Sequence, residues 1–129
     1  MKGMFFGLMA LFVAGNAHAA CVTVTSTYPS GTIAANSEKI AWGPSTIVLG
    51  NFGGSPCNSA LLSFTVSVSS GTRPALSVDR KNGANWVLVK SSVSPSILAT
   101  GLAAGEYRLR LTNNTAVPVS YSGTSQVSK

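Results

Sequence analysis

The chain has 129 residues, two cysteines, one histidine and a formal net charge of +6, with only 9% of its residues charged. That length makes one domain the default, and the sequence shows no internal repeat, no linker and no low-complexity tail. Serine and threonine take the place of charges, as suits an exported β protein whose strands carry Thr on the solvent face.

The N-terminus has three parts. Lys2 is followed by an uncharged apolar run from Met4 to Ala14, and then by Ala17-His18-Ala19. This is the order of a secretory signal peptide with cleavage after Ala19, so residues 1–19 are expected to be a leader and 20–129 a single domain. The run is too short to span a bilayer, and nothing later in the sequence is long enough, so no transmembrane segment is expected after cleavage. Cleavage removes all three methionines, His18 and Lys2, which leaves +5 on the mature chain.

Cys21 and Cys57 remain. In an oxidising compartment an even count favours one disulfide, here joining the mature N-terminus to the Gly/Pro/Ser loop Gly50–Asn58. The alternative is a lipidated Cys21, but His18 stands where lipoprotein signals usually carry an aliphatic residue.

Along the mature chain, Val22–Thr25 alternates apolar and polar, the period of a half-buried strand. Tyr28-Pro29-Ser30-Gly31 reads as a turn, Thr32–Ala41 is ambiguous, and Trp42-Gly43-Pro44 is expected to break regular structure. Ile47–Leu49 is a short buried run. From Ser59 to Ser69, Leu62, Phe64, Val66 and Val68 alternate with hydroxyls, the clearest strand in the sequence. Leu76 and Val78 continue the pattern, Asn82-Gly83 signals a hairpin, and Trp86–Lys90 returns. Tyr107, Leu109 and Leu111 are expected to face inward, with Glu106, Arg108 and Arg110 outward. Val117, Val119 and Tyr121 form the last strand, which Pro118 would confine to a sheet edge unless it points outward. No sustained helical period appears. Seven or eight short strands predict an all-β fold, a small antiparallel β-sandwich.

Without histidine, the mature chain lacks the commonest general base and the usual activator of a serine nucleophile. Glu38, Asp79 and Glu106 are too scattered to suggest a metal site, and Asp79 and Glu106 read as solvated outward charges. No nucleotide-binding glycine pattern is present. The expectation is therefore a protein that is not an enzyme, with no catalytic residues, no metal and no cofactor.

Candidate binding residues are Arg108 and Arg110, two apart on one strand face, with Arg80 or Lys90 beside them, and Trp42 as an exposed aromatic anchor. Trp86 is expected in the core. Such a stripe suits anionic glycan, phosphate or lipid head groups. Nucleic acid is not expected, because the basic residues are not interleaved with exposed aromatics. Asn113-Asn114-Thr115 matches a glycosylation acceptor but reads more simply as a turn.

The segment Thr100-Gly101-Leu102-Ala103-Ala104-Gly105-Glu106-Tyr107-Arg108-Leu109-Arg110-Leu111 resembles the closing strands of bacterial pre-peptidase C-terminal-like β-sandwiches, which often read Leu-x-Ala-Gly-x-Tyr before alternating residues. The resemblance covers about a dozen residues and implies a non-catalytic secreted sandwich; the acidic loop residues usual in that family are not evident. The chain is also similar to chaperone-assembled pilins, which are exported, all-β and carry one early disulfide of comparable span. It departs from them in having no alternating donor segment before Cys21. These readings lead to a secreted or periplasmic binding or accessory module for an envelope, glycan or protein partner. A structural subunit of a surface assembly and a small exported inhibitor acting through Gly50–Asn58 are the alternatives.

Overall fold

A computed structural model describes residues 21–52 and 55–129; the expected leader lies outside them. The described chain is built of strands: β1 (Thr23–Ile33), β2 (Ser37–Ile47), β3 (Asn51–Phe52), β4 (Ser55–Pro56), β5 (Ala60–Ser70), β6 (Ala75–Asn82), β7 (Asn85–Ser92), β8 (Ser96–Leu102), β9 (Gly105–Asn113) and β10 (Val119–Ser128). Two four-stranded antiparallel sheets, β1-β10-β5-β8 and β2-β9-β6-β7, face each other, and β3 and β4 form a small separate pair. This is the all-β antiparallel sandwich expected from the alternation.

The core lies between the sheets and comes from the inward set of each strand. Leu62 and Phe64 of β5 meet Leu76 and Val78 of β6 and Tyr107, Leu109 and Leu111 of β9, all fully buried. Each large side chain removed from water contributes about 1.5–3 kcal/mol. Two of the buried tyrosines place their polar tips on partners: Tyr107 donates to the Ala103 carbonyl at 2.7 Å and Tyr28 to the Thr65 carbonyl at 2.6 Å. Burial, with the neighbouring Tyr121, pushes the Tyr28 phenol up to about 12.

Several sequence expectations are corrected. Tyr28-Pro29-Ser30-Gly31 is no turn; it lies inside β1, where the register with β10 shifts between Tyr28 and Gly31. The irregularity carries Pro29 and Ser30 to the surface while Tyr28 turns into the core. Trp42-Gly43-Pro44 does not end a strand either. It lies within β2, whose ladder with β9 is irregular on both sides of Trp42 and which contains a cis Gly43-Pro44 bond. The β6–β7 turn is displaced by one residue: Asn82 pairs with Asn85, and Gly83, at φ +64°, is the first turn residue. Pro118 precedes β10, so this strand loses no ladder bond and sits in the interior of its sheet, between β1 and β5.

The chain ends are tied together. Val22 and Lys129 exchange two backbone hydrogen bonds, and Cys21 is disulfide-bonded to Cys57 with Cα atoms 4.8 Å apart. The Cys21 sulfur is therefore not available for lipid. Asn113, expected in a turn, is 1% exposed. Its amide donates to the carbonyls of Ile33, Ala34 and Val117 and its oxygen accepts from Thr115, so it pins three segments and is closed to glycosylation.

Gly123 is the tightest point of the first sheet. It lies opposite Tyr28 in the ladder, and a Cβ there would run into the Tyr28 hydroxyl and the Thr65 carbonyl. Gly123→Ala is expected to lower stability by about 1–3 kcal/mol through overpacking, read as a lower denaturant midpoint with an unchanged m-value. Reducing the disulfide should cost at most about 4 kcal/mol, by the loop-closure entropy of a bridge spanning 36 residues, and equilibrium unfolding with and without reductant measures it.

Candidate functional site

The outer face of the β2-β9-β6-β7 sheet collects the polar side chains of β9 and β6. Alternation along β9 places Arg108 and Arg110 outward, and the β6 register sets Asp79 opposite Arg108 and Ser77 opposite Arg110. Asp79 is not the solvated charge expected of it. Only 2% exposed, it lies under the two guanidinium groups. Its Oδ2 accepts from Nε of Arg108 and from Nε of Arg110, each at 2.9 Å, and its Oδ1 accepts from Arg110 Nη2 at 3.1 Å. Arg110 Nη1 reaches across to Glu38 Oε2 on β2 at 2.9 Å.

Burial alone would raise the Asp79 carboxyl. Hydrogen bonds from Arg110 and Arg108, together with their charges, outweigh it and hold Asp79 below the usual carboxylate range. Through the same bonds Asp79 raises Arg110. A carboxylate shared by two guanidinium groups is held in one geometry, and so are they.

Arg108 differs from Arg110. Its guanidinium carbon lies 4.3 Å from the ring centroid of Trp86, within cation–π range. With Nε on Asp79, its two Nη groups have no acceptor among the described residues. Lys81, directly opposite Trp86 in the β6–β7 ladder, places its Nζ 5.8 Å from the same ring. The charges thus separate along the face. Glu38 and Asp79 neutralise one end, and Lys81 and the Nη edge of Arg108 leave the Trp86 end positive. Beside it Leu88 is 54% exposed.

The structure divides the residues expected to bind. Arg108 and Arg110 share one face, but Arg110 is committed to Asp79 and Glu38. Trp42 is elsewhere: half-buried on β2, it packs its ring 5.0 Å from Phe64 and covers the core. Trp86, expected inside, is the half-buried aromatic on the outer face. The hairpin sets Trp86 opposite Lys81, which shares the outward face of β6 with Asp79, and cross-strand partners point to the same side; a two-residue turn moved by one position would set Trp86 opposite Asp79, on that same face. Of the residues not foreseen, Lys81 opposite Trp86 follows from that hairpin register. Asp79 under Arg108 needs the β6–β9 pairing, which no local signal supplies. Arg80 and Lys90 do not join the arginines. Arg80 faces the other way, over the Tyr107 ring, and Lys90 lies past a ladder irregularity, opposite Val78.

Asp79→Asn is expected to destabilise the fold by about 2–4 kcal/mol, because a charge-assisted buried network loses its centre. The folded-state pKa of Asp79 is depressed, so its contribution is fully present above the unfolded value near 4 and is lost as the pH falls through the folded one. Acid titration of the melting temperature should fall more steeply below about pH 4 in the native chain than in Asp79→Asn.

No family model and no curated protein matches the chain. Among solved structures it is similar to the Yersinia pseudotuberculosis-derived mitogen, with a TM-score of 0.55 and 19% identity over 81% of this chain and 86% of that one. It also aligns with a chain from the disulfide-linked pili of Bacillus endospore appendages (TM-score 0.44, 16% identity, 91% of this chain and 96% of that). A further alignment is with the Aeromonas hydrophila periplasmic inhibitor of g-type lysozyme (TM-score 0.43, 11% identity, 89% and 92%). At these identities the first likeness shows a shared fold and nothing more, and the other two are too distant to carry an argument.

Proposed function

We propose that the chain is an exported, non-catalytic binding module that grips an anionic group of an envelope or extracellular component on the Trp86–Arg108 platform. The observation that carries this reading is the state of Arg108. Its Nε is fixed by a buried carboxylate, its guanidinium carbon lies over an indole ring, and its terminal donors have no acceptor among the described residues. A guanidinium oriented before the ligand arrives loses little side-chain entropy on binding, and its paired Nη donors match a carboxylate, sulfate or phosphate. Lys81 adds a second positive charge and Leu88 an apolar shoulder. The Cys21–Cys57 bridge fits a protein that matures outside the reducing cytosol. Asp79, held ionised between two cations, is poorly suited to exchange protons near neutral pH, which supports recognition over catalysis.

A subunit that polymerised by edge pairing would need an open, regular edge strand. The two four-stranded sheets have β1, β8, β2 and β7 at their edges; the ladder of each carries a register shift, and β7 bears Lys90 beyond its own, features that blunt edge association.

The test is retention of the mature chain on immobilised sulfated dextran and on vesicles containing anionic phospholipid. Arg108→Ala should weaken retention about tenfold or more, as loss of charge-assisted hydrogen bonds implies. Trp86→Ala should weaken it as well, and Arg108→Lys should restore it only in part, because an ammonium cannot stack or pair in a plane. Retention unchanged by Arg108→Ala removes the platform as the site.

A further inference from the structure

The two sheets differ in charge more completely than in any other property. Among the described residues, every charged residue that lies in a strand belongs to β2, β9, β6 or β7, whereas β1, β10, β5 and β8 contain no Asp, Glu, Lys, Arg or His. A chain of this size ordinarily scatters charges over all its outer faces to stay soluble. Here one outer face is solvated mainly by hydroxyls, with Leu98 of β8 exposed among them. The ladders align them in rows across the strands: Thr27 lies opposite Thr124, Thr124 opposite Thr65, and Thr65 opposite Ser96, so one row crosses all four. Neighbours within these rows bond to one another, as Thr65 and Thr124 do at 2.7 Å and Thr23 and Ser128 at 3.1 Å.

This face is not flat. A trough of about 640 Å³ lies on it, lined mainly by Thr27, Ser30, Thr65, Ser67, Ser122 and Thr124. Its wall is the irregularity of β1, which lifts Pro29 and Ser30 out of the ladder, and its floor passes over Gly123. The volume falls within the range of small-ligand sites.

We infer that this uncharged trough is a second binding surface, and that its ligand is a neutral, hydroxyl-rich polymer, an uncharged polysaccharide. Each serine or threonine hydroxyl both donates and accepts, and so does each sugar hydroxyl, so the two surfaces satisfy one another without a fixed polarity. An anion would find no counter-charge on these strands. A purely apolar ligand would strand the hydroxyls without partners. A protein partner would normally seat aromatic or arginine anchors, and the trough offers neither an exposed aromatic nor a cation. Adjacent strands are about 4.8 Å apart, so the trough, lined by β1, β10 and β5, spans about 10 Å across them, and the hydroxyl row continues beyond it to Ser96 on β8, room for more than a single ring. This inference does not depend on the Trp86–Arg108 platform, which lies on the opposite sheet.

The experiment measures retention of the mature, disulfide-bonded chain on dextran, amylose, xylan and cellulose, at low and high salt. Retention on at least one polymer, unchanged by salt and by Arg108→Ala, is expected. Thr65→Val with Thr124→Val, which removes two bonded hydroxyls at nearly constant volume, should weaken it about tenfold. Ser67→Glu, at an exposed position of the trough, should do the same by placing an unpaired charge there, and it serves as the independent variant should the double valine chain fail to fold. Absence of retention on all four polymers overturns the inference. So does retention that salt or Arg108→Ala abolishes, which would move the ligand to the charged sheet. Retention unaffected by a folded trough variant overturns it as well.

Discussion

Contact between the inward side chains of β5 and those of β6 and β9 is the constraint from which the other features follow. Leu62 and Phe64 can meet Leu76, Val78, Leu109 and Leu111 only if each strand keeps its alternate side chains on the far side. With a period of two, a slip of one residue would exchange the buried and exposed sets completely. The outer faces are therefore fixed by the core, and their composition was free to take on other roles.

The two outer faces solve solvation in opposite ways. On β2-β9-β6-β7, opposite charges are drawn into a network around Asp79, which is buried although it lies on the outside of the sheet. Its ionic form survives because three hydrogen bonds from two guanidinium groups replace its water. On β1-β10-β5-β8, hydroxyls pair with hydroxyls and no ion has to be desolvated. An approaching ligand meets an electrostatically patterned surface on one side and a neutral hydrogen-bonding one on the other. Binding on the first should be screened by salt and binding on the second should not.

Departures from regular ladders coincide with the surfaces singled out here. The β1 irregularity at Tyr28–Gly31 raises the trough wall, and the β7 irregularity after Leu88 turns Lys90 to the other face. A residue inserted into a ladder re-aims its neighbours, and that is how a sandwich with a repetitive pleat obtains concave or polarised surface. The Gly123 position shows what such a departure demands. With Tyr28 turned inward, only a residue without Cβ fits opposite it.

Most of the architecture was legible from alternation and residue counts: the β5 strand, the inward set of β9, the sandwich class and the pairing of the two cysteines. These depend on the local period and on residue counts, which the chain carries wherever it folds. The segments Tyr28–Gly31 and Trp42–Pro44 were misread as breaks, because proline and glycine signals do not distinguish a turn from an irregular strand held by its neighbours. Pro118 was assigned to a strand that begins one residue later. The candidate site was legible in part. Arg108 and Arg110 on one face follow from spacing, but the partners that divide their roles do not. Asp79 lies 29 residues from Arg108 and Glu38 lies 72 from Arg110. Trp86 took the outer face because the hairpin sets it opposite an outward residue of β6, and Trp42 the core side between two ladder irregularities; residue type decided neither. What sequence determined by itself was which side chains share a face; which faces and strands come together was decided only by the folded chain, since long-range register is set by the packing of the whole core and is written in no single segment.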